Sequence, residues 1–252
     1  MKFALIAALL LLSACGGGKG SINGEPLDQH GDAAPSLSDT EPKHIVVFGG
    51  TSGIGLETVK LALDRGHKVT SITRRPERME LEHANLNNLK GDITKIETFE
   101  EVFKTSDVVI SSIGLGPGRK PVYVYSKGMQ AVLDAMQQAP LNRVITVTGI
   151  GAGDSKGHGG FFYDKILNPL MLKEDYKDKT RQEELLKSQS DVDWTIVRPG
   201  FLTDDAAETS YRVIKSMEGF TSGNIARADV AHFLLALAEQ DSYLQETVFL
   251  TN

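Results

Sequence analysis

The sequence HIVVFGGTSGIG, residues 44–55, joins a short apolar run to a turn that contains four glycines. The run at 44–48 has no strict alternation with polar residues, which is typical of a strand covered on both faces. Apolar residues continue at helical spacing in Leu56, Val59 and Leu63, and Gly66 stands where such a helix ends. The stretch therefore predicts a buried strand, a tight turn and a helix in direct succession.

The same alternation of strands and helices continues to the end of the chain. Further apolar runs predict strands at 68–73, 88–90, 108–113, 144–148, 194–197 and 247–250. Further helices are predicted by two apolar stripes, one at Met129, Val132, Leu133 and Met136 and one at Val230, Phe233, Leu234 and Leu237. Repeated strand–helix units imply a doubly wound α/β fold with a parallel sheet, in one domain at 43–252 with a small C-terminal extension on the substrate side. The glycine-rich region 149–172 predicts a lid or substrate loop.

The glycine-rich turn predicts a site for a pyrophosphate. Glycines permit a tight turn and a close approach of the backbone, and the start of the following helix offers unpaired N–H groups and the positive end of its dipole. The residues expected to contact the phosphates are Gly49, Thr51, Ser52, Gly53, Ile54 and Gly55. A phosphate loop of the mononucleotide type is excluded, because no Gly-Lys-Ser/Thr follows the glycines.

Two arginines follow the second predicted strand. A protein that selects NAD places Asp or Glu at this position, where the carboxylate binds the ribose 2'-hydroxyl. Here the residues are Arg74, Arg75 and Pro76, and guanidinium groups suit a 2'-phosphate. Two solvated arginines in a surface turn are the alternative. The position favours NADP(H) over NAD(H).

The loop GGTSGIG resembles the cofactor loop of the short-chain dehydrogenase/reductase superfamily, with Phe48 where the tyrosine-using branch has Thr. Beyond the loop, the chain is similar to atypical NAD(P)H-binding members, the relatives of NADPH-dependent flavin reductase (biliverdin IXβ reductase) and the NmrA-like proteins, which have a Rossmann-like fold. The motifs that carry the resemblance are Gly91-Asp92, Ser111–Gly114, VITVTGIGAGD at 144–154, KTRQEELL at 179–186 and DWTIVRPG at 193–200.

The resemblance implies further cofactor contacts. Asp92 would approach the adenine, and Ser112, Ile113 and Gly114 would flank a ribose of the cofactor. Thr148, Pro199 and Gly200 would lie near the nicotinamide. Simpler roles remain open, because Asp92 also fits a helix N-cap and Pro199-Gly200 also fits a turn that ends a strand.

The chain departs from the tyrosine-using branch at its acid/base pair. That branch has Tyr-x-x-x-Lys in the helix after the fifth strand, where the Lys lowers the pKa of the phenol. The spacing occurs at Tyr123 with Lys127, which precedes the fifth strand, and at Tyr211 with Lys215, which follows the later strand at 194–197 and so does not lie in that helix. Gly149 stands next to Thr148, where the family usually has Ser. The machinery for oxidising secondary alcohols or epimerising sugars is therefore missing.

Two functions remain. The first is an NADPH-dependent reductase that passes hydride to a small-molecule acceptor with a conjugated system, such as a flavin, a quinone-like ring or a linear tetrapyrrole. The acceptor would take its proton from water or from a nearby polar group, and the candidates are Thr148 and Lys179, although Lys179 also fits an exposed helix position. The second is a non-catalytic NAD(P)-binding sensor or assembly module of the NmrA-like type.

The first fifteen residues predict export. Lys2 precedes an apolar run at 3–12, which is too short to span a bilayer as a mature helix. Leu12-Ser13-Ala14-Cys15 resembles the lipobox of bacterial lipoproteins, which implies a signal peptide at 1–14, lipidation of Cys15 and a membrane location through the lipid anchor only. Residues 15–42 are predicted to be the lipidated Cys and a flexible tether. An exported reductase would lie apart from the cytosolic NADPH pool. Failed export, another ligand or a vestigial fold would each remove this conflict.

Composition and motifs disfavour other classes of function. The formal net charge is -6, and no basic run of five residues occurs, which argues against nucleic-acid binding through phosphate contacts. Cys15 is the only cysteine, so an internal disulfide framework and a Cys-based metal site are excluded. The six histidines lack ligand spacing such as His-Glu-x-x-His, and the single Gly-x-Ser-x-Gly, at 153–157, lies inside the glycine-rich region and not at a turn that joins a strand directly to a helix.

Overall fold

The computed structural model describes residues 31–115, 123–160 and 172–252. Its strands, in chain order, are β1 Asp32–Ala33, β2 His44–Phe48, β3 Lys68–Thr73, β4 Leu86–Lys90, β5 Val108–Ser111, β6 Arg143–Val147, β7 Asp193–Pro199, β8 Phe201–Thr203, β9 Arg212–Ile214, β10 Asn224–Ala226 and β11 Glu246–Thr251. Its α-helices are α1 Gly53–Asp64, α2 Glu100–Phe103, α3 Val124–Met136, α4 Lys173–Lys187 and α5 Arg227–Glu239. All seven predicted strands and the predicted helices are confirmed. Eight of the fourteen strand ends differ from the prediction, each by one or two residues.

The main sheet has nine strands in the order β1-β9-β11-β7-β6-β5-β2-β3-β4. The strands from β11 to β4 in this order are mutually parallel, whereas β9 is antiparallel to β11 and β1 is antiparallel to β9. The chain runs outward from β2 through β3 to β4 and then returns to the other side of β2 as β5. This change of direction opens a crevice at the carboxyl ends of β2 and β5, which is where such sheets bind ligands.

The apolar strands are explained by cores on both faces of the sheet. Successive side chains of a strand point to opposite faces. Ile45 and Val47 accordingly pack in the core that contains α1 and α5, while Val46 and Phe48 pack in the core that contains α3. Both predicted apolar stripes are buried in these cores. Gly66, with φ +84°, follows the end of α1 as predicted.

The described part of the predicted flexible tether at 15–42 contacts the domain through residues 31–38. Asp32–Ala33 pair with β9 as the edge strand β1, and Ala34 and Leu37 pack against the core beside α1 and α5. The Ser38 amide donates to Glu239 at 2.7 Å. The low hydrophobicity of the segment concealed these contacts, because most of them use backbone groups that any sequence carries.

The C-terminal extension was predicted only in outline. Strands β8 and β10 form a separate two-stranded parallel sheet, and β9 joins the main sheet from the same region. Each has three residues, too few to show a period in the sequence. Within the described ranges, no helix is long and apolar enough to span a bilayer. The predicted signal peptide at 1–14 and Cys15 lie outside these ranges, as does part of the predicted loop at 149–172.

Candidate functional site

A cavity of about 340 Å³ lies at the carboxyl ends of the central strands. It is lined by all the predicted cofactor-binding and catalytic residues except Gly55 and Gly200, together with several residues that the sequence did not single out. The predicted lining residues are Gly49, Thr51, Ser52, Gly53, Ile54, Arg74, Arg75, Asp92, Ser112, Ile113, Gly114, Thr148, Lys179 and Pro199. Residues that are far apart in the sequence therefore meet at one site.

The glycine-rich turn follows β2 and adopts conformations that only glycine accepts easily. Gly49 has φ +88°, and a Cβ on it would lie 2.6 Å from the carbonyl oxygen of Ser112. Gly55 does not line the cavity. A Cβ on Gly55 would collide with the backbone of Gly49, so this glycine lets α1 pack against the turn.

The first turn of α1 faces the cavity with its backbone amides available. The N-cap residue Ser52 makes no side-chain capping hydrogen bond, and no acidic residue lies in the first turn. Ser52 and Gly53 are exposed at the cavity wall. An uncapped helix start with free N–H groups and a positive dipole end suits a phosphate, so the residues present here fit a dinucleotide.

The arginines predicted from the second strand lie at one side of the same cavity. Arg74 and Arg75 follow β3, and the Arg75 amide donates to the hydroxyl of Thr73 at 3.2 Å. Arg78, which the sequence analysis did not select, also lines the cavity from the 3₁₀ turn at Pro76–Arg78. A signal for it existed in the basic cluster at 74–78, because a 3₁₀ turn keeps such residues close together.

Asp92 is not a helix N-cap, because the next helical turn, a 3₁₀ turn at Ile96–Thr98, has Lys95 as its N-cap. Asp92 lines the cavity, and its Oδ1 accepts hydrogen bonds from the amide and the hydroxyl of Thr94 at 3.0 and 2.9 Å. The carboxylate therefore holds the turn after β4 while one side of the residue faces the cavity. Ser112, Ile113 and Gly114 follow β5, which ends at Ser111, two residues earlier than predicted.

An ionic network that is buried except for Asp154 surrounds Thr148 at the other end of the cavity. The Thr148 hydroxyl donates to Glu183 Oε1 at 2.7 Å. Arg198 binds the same carboxylate through Nε at 3.0 Å and Nη2 at 2.5 Å, and its Nη1 reaches Asp154 at 2.6 Å. Burial by itself lowers the pKa of Arg198, but Glu183 and Asp154 together raise it above its ordinary value. Thr148 is thus held in place, and its hydroxyl hydrogen is used in the hydrogen bond to Glu183.

Lys179 is placed beside Thr148 by α4. Its Nζ donates to the Thr148 carbonyl oxygen at 2.5 Å and lies 5.2 Å from the ring centroid of Tyr125 and 5.5 Å from that of Tyr176. Burial lowers the pKa of the ammonium to about 8, against Asp175 and Glu183, which favour the charged form. Lys179 is therefore a partly buried cavity residue and not the exposed helix residue that the alternative described.

Among the described residues, Tyr123 and Tyr125 do not restore a Tyr–Lys acid/base pair. Tyr123 is the N-cap residue of α3, is 51% exposed and lies outside the cavity lining, as expected from its position before β6. Arg181 and Lys127 lie over its ring, with the Arg181 Cζ 4.6 Å from the centroid. Tyr125 is buried, and burial raises the pKa of its phenol well above the ordinary value. A phenol in that state is a poor proton donor.

The C-terminal extension contributes residues that sequence reasoning missed. Leu202 from β8 and Arg227 from the start of α5 both line the cavity. Pro199 is the last residue of β7 and lines it as predicted, whereas Gly200 does not. Arg227 is separated from the glycine loop by more than 170 residues, so no local pattern connects it to the cofactor site. In the described parts of the chain, no group of His, Cys, Asp or Glu is arranged to hold a metal ion.

Comparison with protein families agrees with this geometry. Residues 49–241 match the family described as NAD(P)H-binding. The UPF0659 protein C216.03 of Schizosaccharomyces pombe is 30% identical over 185 residues, which cover 64% of this chain and 71% of that protein. The photosystem II assembly factor Ycf39 of Synechocystis is 24% identical over 213 residues, which cover 81% of this chain and 60% of that protein.

A solved structure supports the same fold. ChuY of Escherichia coli O157:H7, described as an anaerobillin reductase, superimposes with a TM-score of 0.66 at 24% sequence identity. The match covers 82% of this chain and 96% of that one. At this level of identity the likeness shows a shared fold and does not by itself transfer an activity.

Proposed function

The chain belongs to the NAD(P)H-binding family, and on that premise we propose that it is an NADPH-dependent reductase that transfers hydride to a conjugated small-molecule acceptor. A flavin, a quinone-like ring or a linear tetrapyrrole has the chemistry required. The single observation that carries the proposal is that one cavity joins the glycine-rich turn to Thr148 and Lys179. A dinucleotide whose pyrophosphate lies on the turn would present its nicotinamide toward these two residues.

The preference for NADPH is supported by the arginines on the side of the cavity next to β3. Arg74, Arg75 and Arg78 all line it. Guanidinium groups form bidentate, charge-assisted hydrogen bonds with phosphate, whereas the ribose 2'-hydroxyl of NADH is usually held by a carboxylate at this position. We infer that the arginines bind the 2'-phosphate.

The chain's own residues would orient the reactants and supply a proton. The bound nicotinamide supplies the hydride. Thr148 is fixed by Glu183 at 2.7 Å and can accept, but not readily donate, a further hydrogen bond. Lys179 donates one N–H to the Thr148 carbonyl, and its ammonium has two further N–H groups. An ammonium whose pKa is lowered to about 8 is a competent general acid near neutral pH, so Lys179 is the better candidate for protonating the reduced acceptor.

A second function, a non-catalytic NAD(P)-binding sensor or assembly module, is favoured by the absence of a Tyr–Lys acid/base pair at the cavity in the described residues. The relative Ycf39 is named an assembly factor, which is in keeping with such a role. The two functions share the cofactor site and differ only in turnover. A reductase must oxidise NADPH when an acceptor is present, and a module binds it without consuming it.

The deciding experiment measures binding and turnover with the same full-length protein. Fluorescence titration with NADPH and NADH gives both dissociation constants, and absorbance at the nicotinamide band follows NADPH oxidation with flavin and quinone acceptors. We expect tighter binding of NADPH, and a loss of about tenfold for NADPH alone in Arg74→Gln. If NADPH is oxidised no faster with the protein than without it, the reductase is excluded and the non-catalytic module remains. Failure to bind either dinucleotide would contradict both functions.

A further inference from the structure

An ion pair in the C-terminal extension stands directly at the cofactor cavity. The register of the small sheet places Thr203 of β8 opposite Ala226 of β10. The residues that directly follow these two strands, Asp204 and Arg227, therefore emerge on the same side. Arg227 Nη1 contacts Asp204 Oδ1 at 2.5 Å. The Asp204 side chain is 90% exposed and that of Arg227 is 30% exposed.

Arg227 also lies against the first turn of α1, where the pyrophosphate is expected. Its Cδ and Nε are each 3.8 Å from the position that a Cβ on Gly53 would occupy. Gly53 is the first residue of α1, and both Gly53 and Arg227 line the cavity. The guanidinium is therefore within reach of an anion held by the free amides of this helix, without a change in the fold.

The bond between Arg227 and Asp204 is one that a phosphate can replace. An ion pair whose carboxylate is exposed contributes little, because water screens the charge of that carboxylate. A diphosphate at a helix N-terminus carries more charge than one carboxylate, and its oxygens match the guanidinium fork. In the cavity the arginine would exchange a weak partner for a stronger one.

We propose that Arg227 binds the cofactor's diphosphate in exchange for Asp204 and thereby ties the C-terminal extension to the bound dinucleotide. This inference rests on the proposed function, because it concerns the same site. It differs from the role of Arg74, Arg75 and Arg78. Those residues are expected to contact a phosphate that only NADPH carries, whereas the diphosphate is common to NADPH, NADH and ADP-ribose.

The test measures dissociation constants of the full-length protein by calorimetry with NADPH, NADH and ADP-ribose. Loss of a charge-assisted contact with phosphate in Arg227→Met is expected to weaken all three ligands by about tenfold. Arg227→Lys keeps the charge but loses the fork, and we expect an intermediate loss. Asp204→Asn removes the carboxylate that competes for Arg227. This variant is expected to bind the three ligands as the unmodified protein does, or up to about threefold more tightly.

Lys215→Met is the matched control, since Lys215 forms an exposed ion pair with Glu246 at 3.0 Å and does not line the cavity. It should bind all three ligands as the unmodified protein does. Asp204→Asn breaks the same ion pair as Arg227→Met, so equal losses in both variants would show a structural role and overturn the inference. Unchanged binding in Arg227→Met would also overturn it. If the unmodified protein binds no dinucleotide, the proposed function itself fails.

Discussion

Burial changes the chemistry of one residue in the cavity, Lys179. The low dielectric around α4 favours the neutral amine and lowers the pKa to about 8, although Asp175 and Glu183 act in the opposite direction. Below that value the side chain is an ammonium that can give up a proton. Above it the side chain is a neutral amine that cannot act as the acid. The proposed reductase should therefore lose activity in alkaline solution.

In the unmodified protein, kcat for acceptor reduction is expected to fall as the pH rises through about 8. Lys179→Met should lower kcat by about a hundredfold and remove this pH dependence, because no acid is left to titrate. Lys177→Met is the control on the same helix, since Lys177 is exposed and paired with Glu174 at 2.7 Å. A Lys179→Met variant with unchanged kcat would show that water supplies the proton.

At the scale of elements, the junction between β2 and α1 depends on backbones that approach closely. Gly55 is buried in the first turn of α1, directly against the backbone of Gly49. Neither backbone can move away without displacing β2 or α1, and both are packed in the core. The glycine pattern is therefore as much a requirement of helix–strand packing as of ligand binding.

Gly55→Ala should destabilise this junction, because the new methyl group would overlap the Gly49 carbonyl. We expect the free energy of unfolding to fall by about 2 kcal/mol or more, measured by urea denaturation, with a loss of NADPH binding. Gly114→Ala, at a glycine of the cavity lining, provides the comparison, because a Cβ there meets no atom within 4 Å. Equal stability of the two variants would mean that the junction adjusts easily.

At the scale of the whole molecule, the described N-terminal segment is held on the domain by a cluster around Glu239. This buried carboxylate at the end of α5 accepts hydrogen bonds from Arg65 at 2.5 Å, His67 at 3.1 Å and the amide of Ser38 at 2.7 Å. Burial raises the pKa of Glu239, but the bonds from Arg65 and His67 outweigh it and hold the pKa below 4.5. Lipidation of Cys15, farther upstream, stays a prediction.

Because the pKa of Glu239 is lower in the folded chain than in the unfolded one, the cluster stabilises the fold above the ordinary value of 4.5 and loses this contribution as the pH falls through the native pKa. Glu239→Gln should reduce the free energy of unfolding at neutral pH by about 1 to 3 kcal/mol and weaken its dependence on acid. Chemical denaturation from neutral pH to below 4.5 measures both effects. The exposed Glu82→Gln serves as the control, and an equally small effect in both variants would contradict the prediction.

The sequence predicted the parallel core and most of the candidate site because their signals are local. A strand covered on both faces reads as an apolar run, and a turn followed by a helix shows its glycines in order. Thr148 and Lys179 were identified only through resemblance to a family. Their geometry depends on Glu183 and Arg198, which come from α4 and β7, and no spacing in the sequence indicates that these charges are paired.

The amino-acid sequence by itself determined the alternation of strands and helices, the glycine-rich turn and the arginines after β3, since hydrophobic period and backbone freedom are properties of neighbouring residues. Only the tertiary structure decided three other features. It brought Arg227 to the start of α1 and into contact with Asp204, placed the Thr148 hydroxyl against Glu183, and packed residues 31–38 against the domain. Each feature joins groups that are distant along the chain, and the distances between such groups are fixed only when the sheet and its helices pack together.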